Sequence, residues 1–349
     1  MKYSKTKNTS EQEANMDKRK IGNLEVSEIG MGCMGFSHGY GQVPEESYSI
    51  DAIRAAYDYD CTFFDTAETY GREMFFPGHN ELLLGKAAAP FRSHIVLATK
   101  FHLAPGEYKG SDSLYDVILA HLQASMKNLQ TDWIDLYYLH RVNEEIPVEE
   151  IAQVMGRLIR EGLIRGWGLS QVTADILDRA HSVTPVSAVQ NLYSMVERDC
   201  EAEIFPYCLA HQIGVVPFSP IASGFLSGKV TENTAFEGDD VRRFVPQLSR
   251  ENIAANQPIL QVLSRFSALK NATNAQISLA WMLHKYPNVV PIPGSKNKER
   301  ILENLGASQV KLTDEEFKEL EDALNACTVH GHRGIHESEQ NTFSKNWRK

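Results

Sequence analysis

The chain lacks any run of about eighteen consecutive apolar residues, which excludes a membrane-spanning helix as sequence reads it. Cysteine is scarce. The five present (Cys33, Cys61, Cys200, Cys208 and Cys327) are odd in number and form no C-x-x-C pair, so a disulfide scaffold is excluded. Such isolated thiols read as small buried hydrophobes. Positive charge is the minority, with 35 Lys and Arg against 45 Asp and Glu, a net charge of −10. That balance argues against a nucleic-acid partner, which requires clustered cations. The polar start, Met1 through Asn15, lacks the apolar stretch of a signal peptide. Residues 1–17 are therefore expected to be a disordered leader, 18–349 one domain, and the location cytoplasmic.

What is present suits a globular core, because 42% of the 349 residues are hydrophobic and 23% charged. Eight short apolar, β-branched runs alternate with segments of helical period: Val26–Ile29, Thr62–Asp65, Ile95–Lys100, Ile134–His140, Ile164–Ser170, Ala188–Asn191, Gly214–Ser219 and Val289–Ile292. Several are nearly continuous in apolar character, as strands buried on both faces should be. Leu114, Val117, Ile118, Leu122, Met126 and Leu129 make one helical stripe. Ile151, Val154, Met155, Leu158 and Ile159 make another, stopped at Gly162. Thr313-Asp314-Glu315-Glu316 is a capping box that opens a helix beyond the repeat.

Eight alternations with no Pro/Gly-rich linker favour an α/β fold of the closed (β/α)₈ TIM-barrel kind over an open doubly wound sheet. It would carry an N-terminal extension, a C-terminal helix and a polar tail from Cys327 with His330, His332 and His336. Residues Ala222 to about Ser249 show no convincing element and form a long loop after the seventh strand, of a length that is usually functional.

Gly30-Met31-Gly32-Cys33-Met34-Gly35 matches G-x-G-x-x-G, but a Rossmann finger needs a helix to begin inside the motif. Here Ser37, Gly39, Gly41 and Pro44 follow, and the helix begins only near Glu45. The motif reads as a turn after the first strand.

Barrel enzymes place their chemistry at the C-terminal ends of the strands. The second run ends in Asp65 and continues to Tyr70, the third ends in Lys100, and the fourth in His140. Four such groups at successive strand ends would share one crowded mouth, where an unpaired charge is costly. An isolated Tyr, with pKa near 10, is a poor proton donor; a nearby ammonium brings it down. Lys100 can do that if Asp65 holds it, and His140 can orient a carbonyl oxygen toward Tyr70. The expected result is a carbonyl polarised by two donors and ready to accept a hydride.

This order of Asp, Tyr, Lys and His resembles the aldo-keto reductase superfamily, including its potassium-channel β subunits. Further matches run from Gly30–Gly35 to Gly294-Ser295-Lys296, Arg300, Glu303 and Asn304. Tyr70-Gly71, then Gly78-His79-Asn80-Glu81 and Gly85-Lys86, resemble the family's second loop and helix, with Arg72–Phe76 standing as an insertion. The resemblance implies NADPH-dependent reduction of an aldehyde or ketone, an alcohol:NADP⁺ oxidoreductase, with Tyr70 as general acid.

By the same resemblance NADP(H) lies extended across the mouth. Gly32, Cys33 and Met34 would border it, Ser170 and Gln190 would bond the nicotinamide amide, and Tyr193 would stack on the ring. Ser219, Pro220 and Ile221 through Gly228 and Lys229 would form the pyrophosphate loop, where small residues admit phosphate to backbone N–H groups. Gly294, Ser295, Lys296 and Arg300, with Lys298, would take the 2′-phosphate, and Glu303 and Asn304 the adenine side. Phe36, Phe101, Trp133 and the inserted Met74-Phe75-Phe76 are candidates for an apolar substrate wall.

An NADPH-binding sensor with little turnover is the alternative reading. A metal-dependent hydrolase is disfavoured, because its usual His pairs at strand ends are missing and no metal is expected. Neither nucleic acid nor membrane is an expected partner, and an oligomer is left open.

Overall fold

The computed structural model describes residues 16–109 and 113–333. A hairpin of β1 (Lys18–Ile21) and β2 (Leu24–Ser27) comes first. Seven parallel strands then pair in sequence order: β3 (Met31–Gly32), β4 (Phe63–Asp65), β5 (Val96–Phe101), β6 (Ile134–Leu139), β7 (Ile164–Ser170), β8 (Ala188–Gln190) and β9 (Gly214–Val215). The run from Val289 to Gly294 closes the ring through parallel bridges Val215↔Val289 and Gly32↔Gly294. It does so without a regular ladder because Pro291 and Pro293 lack N–H groups. Pro291 still accepts from Gly30 N at 2.9 Å, and Ile292 N donates to Pro217 O at 3.1 Å. The result is the expected (β/α)₈ barrel.

Helices α1 (Glu46–Asp58), α2 (His79–Ala88), α3 (Leu114–Leu129), α4 (Val148–Arg160), α5 (Ala174–Val183) and α6 (Ile204–Ala210) fill the outer layer between successive strands. They are followed by α7 (Arg250–Ala255), α8 (Gln257–Lys270), α9 (Asn274–Lys285), α10 (Lys298–Leu305) and α11 (Asp314–Asn325). The stripe on α4 buries Ile151, Val154, Met155 and Leu158, and Gly162 beyond its end takes the left-handed φ of +76° that a Cβ would resist. Thr313 and Glu316 cap α11 reciprocally, at 3.2 and 2.8 Å.

One strand differs from expectation. Val26 lies in β2 rather than in the first barrel strand, which is Met31–Gly32. Leu24 and Val26 have the apolar character of a barrel strand because they are equally buried, but as a floor. With Ile21 they pack against Phe63, Val96, Leu136, Ala188 and Val290, the inward side chains of the barrel. Met16 is packed into the core, and Asp17, though its side chain is exposed, is tied to the body because its O accepts from Glu28 N at 2.9 Å. Residues 1–15 of the expected leader and 334–349 of the tail, His336 included, lie outside the described residues.

Above this floor the strand period of two sets the mouth. Two residues past inward Phe63 stands Asp65; past Ala98, Lys100; past Tyr138, His140; past Ala188, Gln190; past Val216, Phe218. The long loop shows only short 3₁₀ turns (residues 222–227, 241–244 and 246–248). It straps across the mouth, where Asp239 Oδ2 accepts from Gly39 N at 2.7 Å and Val241 N donates to Gly39 O at 3.1 Å.

Candidate active site

A cleft of about 500 Å³ opens at the C-terminal ends of the strands. Asp65, Tyr70 and His140 all line it, and Lys100 stands fully buried behind them. Lys100 Nζ lies 2.5 Å from Asp65 Oδ1, 2.8 Å from Thr66 O and 3.5 Å from the Tyr70 hydroxyl. Asp65 Oδ2 accepts from Gln190 Nε2 at 2.8 Å. The His140 ring meets the Tyr70 ring edge-on at 5.7 Å. The four residues expected from their strand positions are thus brought together.

Their protonation follows from burial and charge. Burial pulls Lys100 down, but Asp65 and Tyr70 together outweigh it, so the proton stays on Lys100. His140 is held well below the usual imidazole range by burial, with Arg141 and Lys100 adding to the effect. It is therefore neutral and can donate from one ring nitrogen. Tyr70 departs from expectation: burial raises its pKa, and the pull of Lys100 offsets this only in part. At 3.5 Å the ammonium does not make up for the water the phenol has lost.

Gly32, Cys33, Met34, Ser170, Gln190, Ser219 and Gly294 all border the cleft, as expected. Ser170 Oγ accepts from Arg141 at 3.2 Å. Pro220 is buried, and Ile221 half-buried, beneath the loop they begin. That loop takes left-handed backbone at Ser219, Ala222, Ser223 and Gly224 before Gly228, which is αL as well. Lys229 pairs with Glu303 at 2.8 Å, so this pair ties the seventh-strand loop to α10. Ser295 Oγ accepts from Asn297 N at 3.1 Å, and Asn297 caps α10 by accepting from Arg300 N at 2.8 Å. Asn304 is buried. The three expected phosphate cations divide: Lys296 donates to Tyr40 O at 2.7 Å and to Gln42 O, Lys298 pairs with Asp51 at 2.7 Å, and Arg300 stays exposed on α10.

Tyr193 does not reach the cleft. It is fully buried, its hydroxyl donates to Glu201 at 2.6 Å, and its ring packs on Phe205 and Trp281. Beside Tyr40 and Tyr70, Phe218 is the aromatic that faces the cleft from the later strands. It sits one strand further on, and its inward register, two residues beyond Val216, was the signal that could have found it. Gln171, next to Ser170, turns its side chain to accept from Leu192 N at 2.9 Å. Of the expected substrate wall, Phe36 and Phe101 are core residues and Trp133 is clamped between Arg92 and Arg165, so only Met74 borders the cleft. Phe75 and Phe76 pack instead on His79. Among the described residues no group of three or more His, Cys, Asp or Glu stands where it could hold a metal ion. No helix among them is long and apolar enough to cross a membrane.

This geometry has counterparts in known proteins. A curated "probable aldo-keto reductase 1" of soybean is 36% identical over 314 residues, which are 89% of each chain. An aldo/keto reductase of Klebsiella pneumoniae, solved with NADP and acetate, is 26% identical with a TM-score of 0.68, covering 90% of this chain and 98% of that one. A glycerol dehydrogenase of Gluconobacter oxydans shares the fold at TM-score 0.79 and 24% identity, covering 94% and 99%. The sequence model of the Aldo/keto reductase family matches residues 28–325, and the chain, with its barrel and the tetrad at its mouth, belongs to that family, whose members are oxidoreductases.

Proposed function

We propose that the protein reduces the carbonyl of an aldehyde or ketone with NADPH, as an alcohol:NADP⁺ oxidoreductase. The observation that carries this reading is the convergence of the Tyr70 hydroxyl and neutral His140 on one cleft, with Lys100 and Asp65 buried behind them. The residues at the mouth fit the cofactor. Gly32 and Gly294 form a bare floor; a Cβ on Gly32 would come within 3.0 Å of Ile292 O. The small-residue loop from Ser219 supplies backbone N–H groups for phosphate, and Lys229, Lys296 and Arg300 supply local positive charge. The Klebsiella relative was solved with NADP, which supports the same choice.

NADPH, when bound, supplies the hydride. Ser170 and Gln190 would hold the nicotinamide amide, and Phe218, rather than Tyr193, would lie against its ring. His140 donates to the substrate oxygen and orients it, while Tyr70 gives its proton to that oxygen as charge develops there. Lys100, anchored by Asp65, stabilises the phenolate left behind. The strap from Asp239 to Val241 excludes water from this region. The reaction takes place in the cell's soluble phase, on a small molecule.

An assay of NADPH consumption against a panel of aldehydes, ketones and quinones tests the reading. Tyr70→Phe should abolish turnover while NADPH still binds in a fluorescence titration. Near-normal turnover in Tyr70→Phe, or NADPH binding with no turnover of any carbonyl by the wild type, would sink it.

A further inference from the structure

Carbonyl reduction leaves one feature of the cleft unused. Three guanidinium groups border it: Arg72 from the loop after β4, Arg141 beside His140, and Arg333 from the C-terminal segment. The field of Arg141 reaches both Tyr70 and His140, and Arg72 and Arg141 act together on His102. The reacting end of the cleft therefore lies within reach of these guanidinium groups, beside Asp65 at Tyr70 and Glu68 at His102. Two of the three carboxylates on the same walls are engaged elsewhere. Asp65 holds Lys100 and Asp239 accepts from Gly39 N under the strap, while Glu73 is exposed at the rim.

Arg333 is the most telling of the three. Its segment is pinned: His330 and Asn256 bond each other twice at 2.8 Å, Gln247 N donates to His332 O at 3.0 Å, and Arg333 N donates to Glu197. Yet Arg333 Nε is buried and meets no acceptor among the described residues. A buried donor without an acceptor is costly, and such an atom beside a cleft points to a ligand that supplies one. A planar guanidinium fork matches a carboxylate with two parallel hydrogen bonds. The cofactor's phosphates have their own cations, which leave the barrel at its seventh and eighth strand positions. Arg72 and Arg141 leave it at the second and fourth.

Resting on the reductase reading above, we infer that the preferred substrates are aldehydes or ketones that carry a carboxylate, with Arg333 as its anchor and Arg141 adding to the attraction. The carbonyl lies at Tyr70 and His140, and the acid group is held toward the C-terminal segment.

The test compares 4-formylbenzoate with its methyl ester, which keeps the aldehyde and removes the charge. Wild type should favour the acid in kcat/KM by roughly ten- to hundredfold, the worth of one charge-assisted hydrogen bond. In Arg333→Gln that acid-to-ester ratio should collapse toward one, while Arg333→Lys retains part of it; thermal melts confirm that both variants fold. A wild type that reduces the ester as well as the acid overturns the inference and leaves the reductase reading standing. A wild type that reduces neither, although NADPH binds, defeats both. An unchanged ratio in Arg333→Gln removes the anchor, and a weakened NADPH Kd alongside it would reassign Arg333 to the cofactor.

Discussion

Lys100 stands unequally between two partners, 2.5 Å from Asp65 Oδ1 and 3.5 Å from the Tyr70 hydroxyl. The ammonium is thus held first by its counter-ion and only second by the phenol it assists. Full burial of Lys100 makes the arrangement a structural commitment as well as a catalytic one.

Lys100→Met should therefore damage stability and activity together. It leaves Asp65 buried without its cation, which costs about 3–5 kcal/mol when a buried pair is broken on one side. Asp65→Asn combined with Lys100→Met should recover most of that loss, because two neutral groups of similar size are cheap to bury. Activity should stay at least about a hundredfold down in both variants, since nothing then stabilises the Tyr70 phenolate. Thermal melts and single-substrate kinetics read the two effects separately; a double variant that regains turnover would contradict the role of Lys100.

Lys296→Ala tests a residue with two possible duties. Its ammonium now ties down the loop near Tyr40 and Gln42, and the sequence reading gives it the 2′-phosphate. If it takes the phosphate, NADPH affinity should fall by about 1.5–3 kcal/mol and NADH affinity by much less. Isothermal titration with both dinucleotides decides; an equal loss for the two would leave Lys296 as a loop tether only.

The sites that could be read in advance were those fixed by strand register. Asp65, Lys100 and His140 each end an apolar run that is visible in the sequence, so their common place at the mouth follows from the strand-end rule. The α3 and α4 stripes and the Thr313 capping box were legible for the same local reason. Tyr193 failed because an aromatic three residues past Gln190 is out of register: the chain has left the strand, and the ring turns outward to Glu201 and Trp281. Phe218 keeps the register and faces the cleft. The β1–β2 floor was missed because burial at the bottom of a barrel demands the same apolar residues as burial in its wall. The direction of the Tyr70 shift depends on how far the mouth excludes water, which no local pattern records.

That floor makes its own prediction. Gly214 begins β9 directly over the hairpin, and a Cβ there would lie 2.8 Å from Ile21 Cα. Backbone cannot yield to such a contact, so Gly214→Ala should lift β1 from the barrel and cost about 1–3 kcal/mol. Turnover per folded molecule should hold, because the mouth is at the opposite end. Calorimetry with active-site titration checks this; an unshifted Tm would mean the hairpin is not packed against β9 in solution.

Glu197 gives the clearest pH signature. It is buried, only 4% exposed, and burial pushes its carboxyl up from 4.5 to about 7. The folded state therefore binds a proton more tightly than the unfolded chain. The stability this confers is complete below about 4.5, declines as pH rises, and is gone above about 7. His140 acts in the opposite sense: neutral in the fold, it costs stability as pH falls below its unfolded value of about 6.5. Comparing Glu197→Gln with wild type cancels the His140 effect, because both proteins carry it. Gln cannot ionise and still accepts from Arg333 N, so the variant should match wild type near pH 4.5 and exceed it by about 2–4 kcal/mol at pH 8. Urea unfolding across that range reads the difference directly. A gap that stays constant with pH would show that Glu197 does not titrate between the two limits, and that the C-terminal segment rests on an ionised carboxylate throughout.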